Sequence, residues 1–132
     1  MIASTESIVH TYLQNLAQRN LAGIVALFAA EIDWYVPGNG TRAPWLGKRS
    51  NRAEVTAFFE LLWANTTPVS ADIHHIFIDG NRAAVTGEFV TEMRSTGKQV
   101  ESLFTIEITV ENSHIIRYRL LEDSHAVSEA LV

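Results

Sequence analysis

Apolar and polar positions along this chain follow two periods, and the change from one to the other divides it. From Ser4 to Arg19 the period is helical: Ile8, Tyr12 and Leu16 fall four apart, and Val9, Leu13 and Ala17 widen the stripe. Ser4 stands where an N-cap is needed. Asn20 breaks and recaps the chain, and Leu21–Ala29, with Ile24, Val25, Leu27 and Phe28, reads as a second helix. A helix that short needs tertiary packing, because isolated short helices are marginal in water. Ile32–Val36 then reads as a strand ended by Pro37-Gly38. Asn39–Ser50 reads as a loop containing Ala43-Pro44-Trp45-Leu46-Gly47. Arg52–Asn65 reads as a third helix, with Asn51 and Glu54 at capping-box spacing and Val55, Phe58, Phe59 and Leu62 as its buried stripe.

The remainder alternates at period two. Val69–Asp79 and Ala83–Arg94 flank Asp79-Gly80-Asn81, a hairpin signal. Thr96-Gly97 and Asn112-Ser113 turn the chain into strands Gln99–Glu111 and Ile115–Glu122. Asp123-Ser124 caps a terminal helix, His125–Leu131. The order αα-β-α-ββββ-α predicts an α+β fold: one domain over residues 1–132, with a curved antiparallel sheet wrapped around helices to give a cone-shaped, closed interior.

Composition narrows the partners. A net charge of −5, with the ten Lys and Arg residues scattered, argues against nucleic acid, whose phosphates need a basic surface. Cysteine is absent, which excludes disulfides and thiol chemistry. Met1 leads into the polar Ser4-Thr5-Glu6-Ser7, with no charged and apolar leader pattern. No apolar run reaches the ~20 residues of a membrane span. The expected compartment is the cytoplasm, with no membrane partner. No histidine pair has metal-binding helical spacing, so no metal site is expected.

Several segments, taken in order, resemble the SnoaL-like and ketosteroid-isomerase-like branch of the nuclear-transport-factor-2-like superfamily. They are Asn20–Phe28, Trp34 with Val36-Pro37-Gly38, Pro44–Gly47, Arg52–Leu62, Phe104-Thr105-Ile106, and Ile116-Arg117-Tyr118-Arg119 leading to Glu122-Asp123-Ser124. The resemblance covers nearly the whole chain and implies a cystatin-like α+β barrel, a small apolar ligand, no cofactor, and a homodimer through the outer sheet face. It leaves the reaction open, because the superfamily includes isomerases, cyclases, dehydratases and binders. Ketosteroid isomerases carry a substrate-polarising Tyr in the first helix, and Tyr12 stands at the similar place. Their general base precedes the Pro that ends the first strand, where this chain has Val36. Their protonated Asp on a later strand corresponds to Phe104. The Asp-Arg-Asp set of related epoxide hydrolases does not appear.

Strand alternation assigns inward faces. Ser102, Phe104, Ile106 and Ile108 form one set. Val85, Gly87, Phe89, Thr91 and Met93 form a second. Tyr118, Leu120 and Glu122 form a third, and Trp34 and Val36 join from the first strand. These predict an aromatic and aliphatic pocket lined by Trp34, Val36, Trp45, Phe58, Phe89, Ser102, Phe104 and Tyr118, suited to a small planar or alicyclic ligand. Catalytic candidates are Tyr12 as oxygen-polarising donor and Glu122 as base, for isomerisation, cyclisation or dehydration next to a carbonyl. Burial of Glu122 would raise its pKa into a useful range. Each group has a plain structural reading beside this one: Tyr12 as a core tyrosine, Glu122 as a solvated strand end, Asp123 as an N-cap. His74 and His75, adjacent in a strand, are expected on opposite faces. The alternatives are a non-catalytic binding module, and a dimerisation domain whose interior is filled by Trp34, Phe58, Phe89 and Phe104.

Overall fold

The computed structural model of the chain describes residues 3–132, so the reading of the Met1 start lies outside the described residues. The elements are α1 Thr5–Gln18, α2 Leu21–Ala26, β1 Phe28–Val36, β2 Gly47–Arg49, α3 Arg52–Asn65, β3 Thr66–Asp79, β4 Arg82–Met93, β5 Gln99–Glu111, β6 His114–Glu122 and α4 Ser124–Ala130.

Each helix starts where a polar side chain satisfies an orphan backbone donor. Ser4 accepts from the Ser7 N–H, Asn20 from Gly23, Asn51 from Glu54 and Asp123 from Ala126. Arg19 closes α1 in the left-handed region at φ 51°, and its N–H returns to the carbonyls of Asn15 and Leu16.

The structure departs from the sequence pattern in several places. α2 stops at Ala26, and Phe28 and Ala29 open β1 instead of ending a helix. The Leu27 carbonyl accepts from the Ile115 N–H and Phe28 lies opposite Ile115, so sheet pairing displaces helical continuation. Gly47–Arg49, expected as loop, pairs with Trp34–Val36 as β2. β3 starts at Thr66, directly on the end of α3, where the buried Thr66 hydroxyl donates back to the Leu62 carbonyl at 2.7 Å. β1 runs parallel to β6, so the sheet is not purely antiparallel. The sheet is curved but does not close into a barrel: its order is β2-β1-β6-β5-β4-β3, with β2 and β3 as edges.

α1, α2 and α3 fill the concave side. The centre is aromatic: the Trp34 ring stacks on Tyr118 at 4.2 Å and 12°, and Phe58 meets Trp34 edge-on at 4.8 Å. Tyr12 and Phe28 close the group at edge-to-face distances of 5.6 to 6.1 Å. Such pairs add about 0.5–1.5 kcal/mol each to area burial.

The convex face carries Leu103, 69% exposed, with Phe77 and Leu121. Arg119 meets Asp33 at 2.9 Å on the same face, and Arg117 meets Glu107 at 3.6 Å. His74 and His75 depart from strict alternation. A bulge between Ile73 and His75 sets Ile73 opposite Gly87 and His75 opposite Thr86, with His74 as the extra residue. His74 lies 3.5 Å from Glu88 and the His75 ring 5.6 Å from Phe77. Both histidines are exposed on the convex side, and neither joins the inward set.

Candidate functional site

Glu122 ends β6 on the concave face. Its Cα partner is Phe104, the next partner is Gly87 and the next Ile73, so four strands contribute one row. Phe104 lies over Gly87: a Cβ built there would stand 2.7 Å from Phe104 Cζ and 2.2 Å from the Asp72 carbonyl oxygen. Position 87 therefore has room for no side chain, and the Phe104 ring uses that space.

The Glu122 carboxyl is half-buried and, among the described residues, has no hydrogen bond or ion pair. Burial first, and the neighbouring Asp123 charge second, push its pKa up to about 7. A carboxyl at that value exchanges protons near neutral pH, as a general acid–base group must.

Tyr12 and Tyr118 bring their hydroxyls to 2.6 Å in the buried centre. Two hydroxyls sharing one hydrogen bond leave one proton uncommitted. Burial is the main cause holding both phenols above their ordinary range, so both stay neutral. The Glu122 charge adds to the rise at Tyr118, which places the carboxyl and the tyrosine pair in one electrostatic field.

The remaining pocket candidates divide by exposure. Trp34, Val36, Phe58 and Tyr118 are at most 2% exposed and packed as core. Trp45, 3% exposed, belongs to the same core and is not a lid open to solvent. Arg49 holds the Trp45 loop: its guanidinium donates to the carbonyls of Pro44, Trp45 and Glu54. Sequence reasoning missed Arg49 because its strand was read as loop; its pKa is lowered by desolvation. The Ser102 hydroxyl is committed, accepting from the Asp123 N–H at 2.8 Å and donating to the Leu103 carbonyl at 2.7 Å. It fastens the corner between β6 and α4. Phe89 and Phe104, with ring centroids 6.2 Å apart, are half-buried and form the accessible aromatic surface.

Two shallow depressions open elsewhere. One of about 590 Å³ lies at Ala30–Asp33, Ser50 and Asn51, and one of about 640 Å³ between α2 and α3 at Leu21, Val25, Arg52 and Thr56. Neither includes an expected pocket residue. Among the described residues no cluster of three His, Cys, Asp or Glu side chains could hold a metal ion. No helix among them is long and apolar enough to cross a membrane.

This open, helix-filled α+β sheet has well-defined relatives. The family model for the SnoaL-like domain matches residues 9–118, and the chain belongs to that family. No curated protein matches the chain. Among solved structures, an NTF2-like protein from Burkholderia xenovorans shares 21% identity over 100% of both chains at TM-score 0.88. A polyketide-cyclase candidate from Pseudomonas putida shares 15% over 98% of this chain and 99% of that one, at TM-score 0.80. TerC, crystallised with polyporic acid, shares 15% over 98% of each chain at TM-score 0.83. At these identities the structures share the fold with this protein.

Proposed function

We propose that the protein binds a small apolar carbonyl compound and moves a proton next to the carbonyl, as an isomerase or cyclase without a cofactor. Glu122 is the exchanging group, and the Tyr12–Tyr118 pair, buried in the packed centre, shares its electrostatic field without touching the ligand. The observation that carries this reading is the position of Glu122: concave face, no partner among the described residues, and a pKa pushed up to about 7 by burial. The polyketide-cyclase name of one structural relative fits a ligand of this class. Val36 and Phe104 exclude the carboxylate arrangement of ketosteroid isomerases, so Glu122 acts from a different strand end.

The test is deuterium exchange into the methyl group of 2-acetylnaphthalene, followed by proton NMR at pH 7. Wild-type protein accelerates exchange and Glu122→Gln does not. Equal rates with both proteins, or with no protein, would sink proton transfer.

A second reading, a non-catalytic binding module, is favoured by the mutual hydrogen bond that already occupies the tyrosine hydroxyls. In either case we propose a homodimer through the convex sheet face, where Leu103, Phe77 and Leu121 lie exposed.

A further inference from the structure

The centre of the fold is filled. Tyr12, Phe28, Trp34, Phe58, Phe59 and Tyr118 are each at most 2% exposed and touch one another in a continuous set of aromatic contacts. Along the concave face, however, burial drops across the middle of β4 to β6, beside an edge strand β3 that is exposed over most of its length. On β4, Ala83, Val85 and Gly87 are buried and Phe89 and Thr91 are not. On β5, Ile106 and Ile108 are buried and Phe104 is not. On β6, Tyr118 is buried and Leu120 and Glu122 are not. Ile73, which shares the row of Gly87, Phe104 and Glu122, is 46% exposed although it faces the concave side. At the far ends of β4 and β5, Met93 and Val100 are buried again. A half-open apolar band therefore crosses four strands, floored by Phe104 and Phe89 and ended by Glu122.

Charge on this band has one sign. None of the concave-face positions of β3 to β6 among the described residues is basic. Arg49, whose backbone lies opposite Trp34, has its guanidinium on three carbonyls. Asp123 adds a second carboxylate next to Glu122. An anionic ligand on the band would meet Glu122 and Asp123 with no cation to offset them.

We propose that the ligand lies on this band rather than in the depth of the cone, flat on Phe104 with its polar end at Glu122, and that the site selects uncharged apolar molecules over carboxylates. The proposal rests on the reading of Glu122 as ligand-facing given above. Glu122 is then the specificity-determining residue, and Phe104 is the main contact for the apolar body. Its ring can lie flat because Gly87 beneath it has no side chain.

The test uses two probes of one shape, 2-acetylnaphthalene and 2-naphthoate, titrated into protein with carbon-13-labelled Ile, Leu and Val methyl groups. The neutral probe should shift the methyl signals of Ile73 and Leu120 and leave those of Val9, Ile24 and Val55 in place. At pH 8 the naphthoate should bind at least about tenfold more weakly, as expected for uncompensated like charge, and Glu122→Gln should narrow that gap. Phe104→Ala should weaken the neutral probe up to about tenfold, the range for one aromatic contact. Because Phe104 is only half-buried, the variant should keep the wild-type methyl spectrum outside the band.

Shifts confined to Val9, Ile24 and Val55 would overturn the proposal and leave proton transfer standing. Equal affinity for the two probes, or no shift with either, would also overturn it. Shifts on the band with no deuterium exchange would sustain this proposal and sink the catalytic one.

Discussion

Glu122 should cost the fold stability as pH rises, by an amount the structure sets. Its pKa is raised from the ordinary 4.5 to about 7 in the folded protein, burial being the larger cause. Between those two values the folded chain holds a proton that the unfolded chain has released. Folding stability from this group is therefore fully present below pH 4.5, is lost as pH rises toward 7, and changes no further above 7. Each tenfold change in proton affinity is about 1.4 kcal/mol, so the full loss is about 3 kcal/mol. Glutamine at 122 removes the titration and keeps the shape. Urea unfolding of wild type and Glu122→Gln at pH 5 and pH 8 isolates the effect, because every other titrating group cancels in the difference. About 1 kcal/mol of the loss is already present at pH 5, so the stability of the variant relative to wild type should rise by about 2.5 kcal/mol between pH 5 and pH 8. A gap between them that does not change with pH would show that Glu122 is solvated and would remove the base from the proposed mechanism.

Tyr12→Phe should lower stability by about 1–3 kcal/mol by leaving the buried Tyr118 hydroxyl unpaired; in a double-mutant cycle, adding Tyr118→Phe should cost less than it does alone. Asp123→Asn keeps an effective N-cap for α4 and removes a negative charge beside Glu122, so the Glu122 carbon-13 titration should move toward 4.5 without reaching it. The proposed dimer through the convex face is tested by sedimentation equilibrium: the wild type should sediment as a dimer and Leu103→Asp as a monomer, with the far-ultraviolet circular dichroism unchanged. Gly87→Ala should destabilise by about 1–3 kcal/mol in thermal melts, as overpacking does. Phe104→Leu should restore only part of that, because the Asp72 carbonyl, 2.2 Å from the added Cβ, is backbone.

What the sequence revealed was what side-chain period and capping chemistry control. α1 and α3 were legible because their apolar stripes persist for several turns and Ser4 and Asn51 mark their starts. The hairpin turn at Gly80 was legible because Asp79-Gly80-Asn81 permits positive φ, here 61°. The inward direction of Glu122 followed from counting by two from Tyr118. Features set by partners far along the chain were not legible. Phe28 is equally apolar in a helix or a strand, and only Ile115, 87 positions later, decides it. β2 is three residues long, too short for any period to show. The bulge at His74 breaks the alternation that placed His74 and His75 on opposite faces, and no residue there announces it. That the Ser102 hydroxyl is committed to Asp123 and Leu103 was likewise hidden, since a serine reads the same whether free or bonded.

The two catalytic places that the sequence leaves empty are the two that the fold fills most tightly or most simply. Val36 is fully buried against the core, where a carboxylate would need a partner the aromatic centre does not supply. Phe104 uses the space above Gly87 as an apolar platform. The carboxyl that remains sits at the strand end, where it is desolvated enough to titrate near 7 and open enough for a ligand to reach. Desolvation makes a charged carboxylate costly there, so packing alone gives no reason for an acid at this position. A site that combines a packed centre, a half-open aromatic floor and one costly carboxyl is organised around what that carboxyl meets from solvent. That is the physical case for placing the chemistry of this protein at the edge of the cone.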